Sequence, residues 1–79
     1  MVNGVHERRH RDLVDVLVSE RKRLGLHQKA IADHMGWPIQ LVSRYENYER
    51  RLDAVEFADI ARFLGMDLAS LIVSIPERV

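Results

Sequence analysis

The sequence contains no cysteine, which excludes disulfide staples, thiolate zinc sites and cysteine-based catalysis. It has no long hydrophobic run either. Its most apolar early stretch, Leu13-Val14-Asp15-Val16-Leu17-Val18-Ser19-Glu20, is broken by charge, so a bilayer-spanning segment is not expected. Net charge is also missing, because twelve Lys and Arg balance twelve Asp and Glu. Composition alone therefore gives no sign of an acidic partner. At 79 residues the chain suffices for one small domain and is shorter than most enzymes. Residues Met1–Glu7 lack the apolar stretch of a signal peptide, and a cytoplasmic location is expected.

The neutral total conceals a gradient. Residues 1–30 carry seven Lys and Arg against four Asp and Glu, whereas residues 53–79 carry two against five. One face can thus be basic while the molecule as a whole is neutral. Hydrophobic residues make up 47% of the chain, enough for a packed core. They recur three and four apart and do not alternate with polar residues over a strand's length, so the expected class is all-α.

Five helices are expected. The first begins near residues 8–12 and ends at Gly25, with Leu13, Val14, Leu17, Val18 and Leu24 along its inner stripe. A second covers about 28–35 and stops at Gly36. A third starts at Pro38, a residue tolerated in the first helical turn, and runs to about Asn47. Asp53 and Glu56 have capping-box spacing and open a fourth helix, whose apolar face is Ala54, Phe57, Ala58, Ala61 and Leu64. Asp67 caps a short fifth helix that closes before Pro76. Residues 1–7 are assigned to a flexible arm, 8–75 to the domain and 76–79 to a tail.

The segment from Gln28 to Asn47 is the most informative. Two short helices that meet at a steep angle need a small residue at the crossing, supplied by Ala32, and a positive φ in the turn, supplied by Gly36. Ile31, Met35, Trp37, Val42 and Tyr45 then face inward. The opposite side of the third helix presents Ile39, Gln40, Ser43 and Arg44, with Asn47 at its end. These side chains suit base edges: Arg donates two bonds to guanine, Gln pairs with adenine and Ile touches a thymine methyl. Arg21 lies on the apolar stripe of the first helix, where a charge needs a partner.

From Leu17 to Leu71 the sequence resembles the helix-turn-helix domain of phage repressor and Cro-type regulators, often called XRE-like. The motifs that carry the resemblance are Arg23-Leu24-Gly25-Leu26-His27-Gln28, Ile31-Ala32, Met35-Gly36, Val42-Ser43-Arg44-Tyr45-Glu46-Asn47 and Ala61-Arg62-Phe63-Leu64-Gly65. The resemblance implies a five-helix, lambda-repressor-like fold with a central helix-turn-helix. It further implies a homodimer on double-stranded DNA, with the recognition helix in the major groove of a palindromic operator. It places Ile39, Gln40, Ser43 and Arg44 at base-reading positions. Gln28, Lys29, Asn47, Arg50 and Arg51 fall at phosphate-binding positions, and Arg21–Glu46 at a structural ion pair. The chain departs from the family at Pro38, where Ser or Thr is usual, at Tyr48, where Gly is common, and at Leu52, where Pro is common. Ile39 stands where the reader is commonly polar.

Two other features invite different readings. His6-Glu7-Arg8-Arg9-His10 formally matches the H-E-x-x-H zinc-protease pattern. No third-ligand motif follows it, so neither a metal site nor a cofactor is expected, and Arg8, Arg9 and Arg11 are read as phosphate-seeking. Leu68, Leu71, Ile72 and Ile75 exceed what a short terminal helix buries alone and are assigned to a dimer seam. The acidic C-terminal third supports an alternative, a protein-interaction module such as an antitoxin that neutralises a partner toxin. The expected function remains a sequence-specific transcriptional regulator, a repressor without enzymatic activity.

Overall fold

Turn chemistry and apolar spacing divide the chain into five helices. In the structure, a computed structural model describing residues 5–74, these are α1 (Val5–Arg23), α2 (Gln28–Met35), α3 (Ile39–Glu46), α4 (Ala54–Phe63) and α5 (Leu68–Ser74). No strand occurs among the described residues. No helix there is long and apolar enough to cross a membrane.

α1 starts at Val5, earlier than the expected 8–12, so residues 5–7 are helical. Tertiary contacts support this extra turn. Glu7 pairs with Arg51, and the Leu52 N–H donates to His10 Nε2 at 3.4 Å, so the connector after α3 holds the start of α1. At the other end the expected stripe runs one residue too far. Leu24 lies beyond the last helical residue and is exposed, and Leu26 packs against the core instead.

The tight α2–α3 turn depends on Gly36, whose φ of +68° is the left-handed conformation that costs glycine no Cβ clash. The chain reverses so closely that the Trp37 N–H reaches back to the Ala32 carbonyl at 2.9 Å. Pro38 acts as the N-cap of α3 with φ −62°, just outside the helical turn, and makes no side-chain capping bond. Asp53 and Glu56 form a complete capping box at α4: Asp53 Oδ1 accepts from the Glu56 N–H at 2.8 Å, and Glu56 Oε1 accepts from the Asp53 N–H at 3.0 Å.

Val14, Leu17, Ile31, Val42, Tyr45 and Ile60 are fully buried and form the centre of the core. α2 packs against both α3 and α4, α1 packs on α3, and α5 closes against α4. Ile60 is absent from the expected face of α4 but is fully buried beside Ala61, and Ala54 is exposed. Leu71, assigned from sequence to a dimer seam, is 5% exposed and belongs to the core of its own chain. Ile72 and Val73 point outward, Leu68 is half-buried, and Ile75 and the 76–79 tail lie outside the described residues.

Candidate nucleic-acid interface

The eight residues of α3 divide cleanly between core and surface. Val42 and Tyr45 are completely buried, which turns Ile39, Gln40, Arg44 and the capping Asn47 out to solvent, with Ser43 half-buried between them. Gln40 and Arg44 are four residues apart, hence neighbours on one row of the helix. Neither side chain has a hydrogen-bond or ion-pair partner among the described residues.

The single acid of α3 is withdrawn from this face. Glu46 receives both arms of Arg21, Nε to Oε2 at 2.7 Å and Nη2 to Oε1 at 2.9 Å, and its side chain is only 7% exposed. The third Arg21 nitrogen, Nη1, donates to the Leu26 carbonyl at 2.8 Å, which satisfies the buried guanidinium. The Glu46 hydrogen bonds hold the Arg21 pKa above its usual value against the opposing effect of burial. This pair anchors α3 to α1 from behind and leaves the outward surface of α3 free of exposed carboxylate.

The residues placed at phosphate-binding positions differ in how free they are. Gln28 opens α2, but its Nε2 donates to Glu46 Oε1 at 3.0 Å, so its side chain joins the Arg21–Glu46 network. His27 supplies no side-chain cap there, which leaves the first amides of α2 without one. Lys29 reaches Asp33 at 2.8 Å, a highly exposed pair that costs little to break. Asn47 donates from Nδ2 to the Ser43 carbonyl at 2.9 Å and closes the end of α3. Arg51 pairs with Glu7 across an exposed surface. Arg50 is the most engaged: it meets Glu56 at 2.8 Å and lies over the Trp37 ring at 4.8 Å.

Two contacts had no counterpart in the sequence reading. Tyr48 adopts φ +63°, an uncommon conformation for a side chain with a Cβ. Its hydroxyl donates to Asp15 and Arg11 stacks over its ring at 4.7 Å, so α1 holds the strained residue in place. The Asp15 hydrogen bond also raises the Tyr48 pKa. The second is the Trp37–Arg50–Glu56 contact. A tryptophan in the turn and an arginine thirteen positions later gave no spacing signal, because only the folded connector brings them together. At the N-terminus, Glu7 of the H-E-x-x-H pattern is in an ion pair, and no cluster of three or more His, Asp or Glu suited to a metal occurs among the described residues.

A short helix fixed from behind, with an acid-free polar face exposed and a tight turn before it, defines a helix-turn-helix DNA-binding domain. A family model for the helix-turn-helix matches residues 17–71. Among solved structures, an XRE-family like protein from Pseudomonas syringae pv. tomato str. DC3000 is 39% identical, with a TM-score of 0.83 over 90% of this chain and 87% of that one. No curated protein is a significant match. The chain belongs to the XRE-family helix-turn-helix proteins, a family of DNA-binding transcription regulators.

Proposed function

We propose that this protein binds an operator as a symmetric dimer, lays α3 in the major groove of each half-site, and represses transcription by occupying the site. The observation that carries this reading is the unpartnered Arg44 and Gln40 pair on a carboxylate-free helix face, with Arg21–Glu46 locking that helix to the core. Both side chains reach the groove without first breaking a contact. Arg44 suits guanine O6 and N7, Gln40 suits adenine N6 and N7, and Ile39 and Ser43 complete the surface that meets base edges. Lys29 and the uncapped first amides of α2 suit one phosphate, while Asn47 and Arg51 suit phosphates beyond the end of α3. No covalent chemistry is required, and regulation follows from occupancy alone.

Ile72 and Val73, 60% and 83% exposed, support association of two copies through α5. Ile72 also lines an apolar groove of about 330 Å³ bordered by Leu13, Phe57, Ala58 and Leu68. A twofold axis beside it places the same patch of each copy against the other, as an isologous contact requires.

Selection of bound fragments from the genomic DNA of the source organism tests the proposal. A palindromic motif with half-sites about one helical turn apart is the expected result. Arg44→Ala should then lose about 1–3 kcal/mol and relax preference at one base pair per half-site. Equal weakening on cognate and scrambled DNA would reduce Arg44 to a phosphate contact. Recovery of no enriched motif would overturn the operator reading.

A further inference from the structure

Arg50 is unlike the other cations near α3, because its guanidinium is occupied on its edge and on its face at once. Nη2 meets Glu56 Oε2 at 2.8 Å, Nη1 meets Glu56 Oε1 at 3.3 Å and the Arg51 carbonyl at 3.4 Å. The guanidinium Cζ lies over the Trp37 ring, 4.8 Å from its centroid. Glu56 in turn is not a free surface acid, since its Oε1 also accepts the Asp53 N–H at 3.0 Å and completes the cap of α4.

Trp37 stands two residues before Ile39, the first residue of α3. Its own N–H is tied to the Ala32 carbonyl, and the indole packs against the core. Movement of that ring is therefore transmitted to Pro38 and the start of α3. We infer that Arg50 is a positioning residue for DNA recognition: it clamps the turn before α3 to the cap of α4 through Trp37 and Glu56, and is not itself a phosphate contact. This role rests on the operator reading given above. The arginine is specific to it, because a planar guanidinium can pair with a carboxylate along its edge while stacking on an indole, and an ammonium cannot do both. Committing Arg50 to phosphate would expose Glu56 as an uncompensated acid beside DNA and strip the stacked cation from Trp37.

The two roles predict opposite results for the partner substitution. Glu56→Gln frees the guanidinium while keeping a side chain able to cap α4. As part of a clamp, the change weakens operator binding. If Arg50 is a phosphate contact, removal of the competing carboxylate leaves binding unchanged or tightens it. Arg50→Met, which keeps the stem and removes the charge, should weaken binding about three- to tenfold, the combined scale of one cation–π contact and one half-exposed ion pair. The slope of log affinity against log salt should stay at the wild-type value, whereas loss of a phosphate contact lowers it by about 0.9 per protomer. Arg50→Lys should recover only part of the loss.

Trp37 is the single tryptophan, so its emission reports the clamp directly in the free protein. The role requires a shifted emission in Arg50→Met and Glu56→Gln, measured at a temperature where circular dichroism shows both variants folded. The experiment uses the full chain and the operator recovered by selection. A reduced salt slope in Arg50→Met, or binding by Glu56→Gln at or above wild-type strength, would overturn the clamp. Unchanged Trp37 emission in both variants would also overturn it. A wild-type protein that selects no DNA fails at the earlier step and takes this role with it, whereas a wild type that binds while the variants show any of these overturning results removes the clamp alone.

Discussion

Tyr45 is the largest fully buried side chain, and its hydroxyl oxygen is buried without a hydrogen-bond partner among the described residues. Burial, reinforced by Glu46, pushes its pKa well above the usual phenol value, so the group stays neutral throughout the physiological range. The ring is needed to hold α3, but the oxygen brings a desolvation cost with no bond to offset it. Tyr45→Phe should therefore raise stability by about 1 kcal/mol, seen as a higher midpoint in chemical denaturation. A lower midpoint would show that the hydroxyl is satisfied in solution. Arg21 behaves in the opposite sense, because all of its contacts are inside the protein. Arg21→Met should cost about 3 kcal/mol by leaving Glu46 buried with only Gln28 as donor. The sequence signal for Arg21 was a charge on an apolar stripe, a misplacement that has to be compensated somewhere in the fold, and the family resemblance supplied Glu46 as the partner.

At the scale of elements, boundaries were legible wherever a local rule acts. Gly36 and the Asp53–Glu56 box depend on residues within three or four positions, and both are found where spacing puts them. Asp53→Ala should cost about 1 kcal/mol through loss of the α4 cap, measurable as a lower thermal midpoint. Gly36→Ala should cost about as much through its positive φ alone, because a Cβ there meets nothing within 4 Å. The start of α1 and the orientation of α5 were not legible in this way. Val5 is helical because Glu7 and His10 meet Arg51 and Leu52, more than forty residues away. Along α5, both Leu71 and Ile72 are apolar. Only the position of α4 decides that Leu71 turns inward and Ile72 outward.

For the whole molecule, the dimer proposed above has its contact on the outward face of α5, where Ile72 and Val73 are exposed. Ile72→Glu should preserve the fold while reducing self-association in sedimentation velocity, since Ile72 is 60% exposed in one chain. Leu71→Glu should unfold the protein instead, because it places a carboxylate in the core. A dimer that survives Ile72→Glu would move the contact away from α5. Acid should also weaken the fold in a defined direction. The Arg50 hydrogen bond holds the Glu56 carboxyl below its usual range, against a smaller opposing effect of burial. A carboxylate with a lowered pKa contributes stability that is present above its unfolded-state value and lost as pH falls through its folded one. The Glu56→Gln variant should therefore show a shallower fall in thermal midpoint than the wild type between neutral and strongly acidic solution.

Local order and its periodicity determined the all-α class, four of the five helix starts to within a residue or so, and the solvent-facing row from Ile39 to Arg44. Each of these depends on contacts between residues a few positions apart, which a linear pattern records directly. The tertiary structure alone decided which cations stay available. Arg51 is held by an exposed pair with Glu7, Arg44 has no partner among the described residues, and Arg50 is held by a carboxylate and an indole at once. In sequence these three side chains differ little. Their availability depends on which long-range partners the packed helices bring within about 3 Å, the reach over which a hydrogen bond can hold a charge.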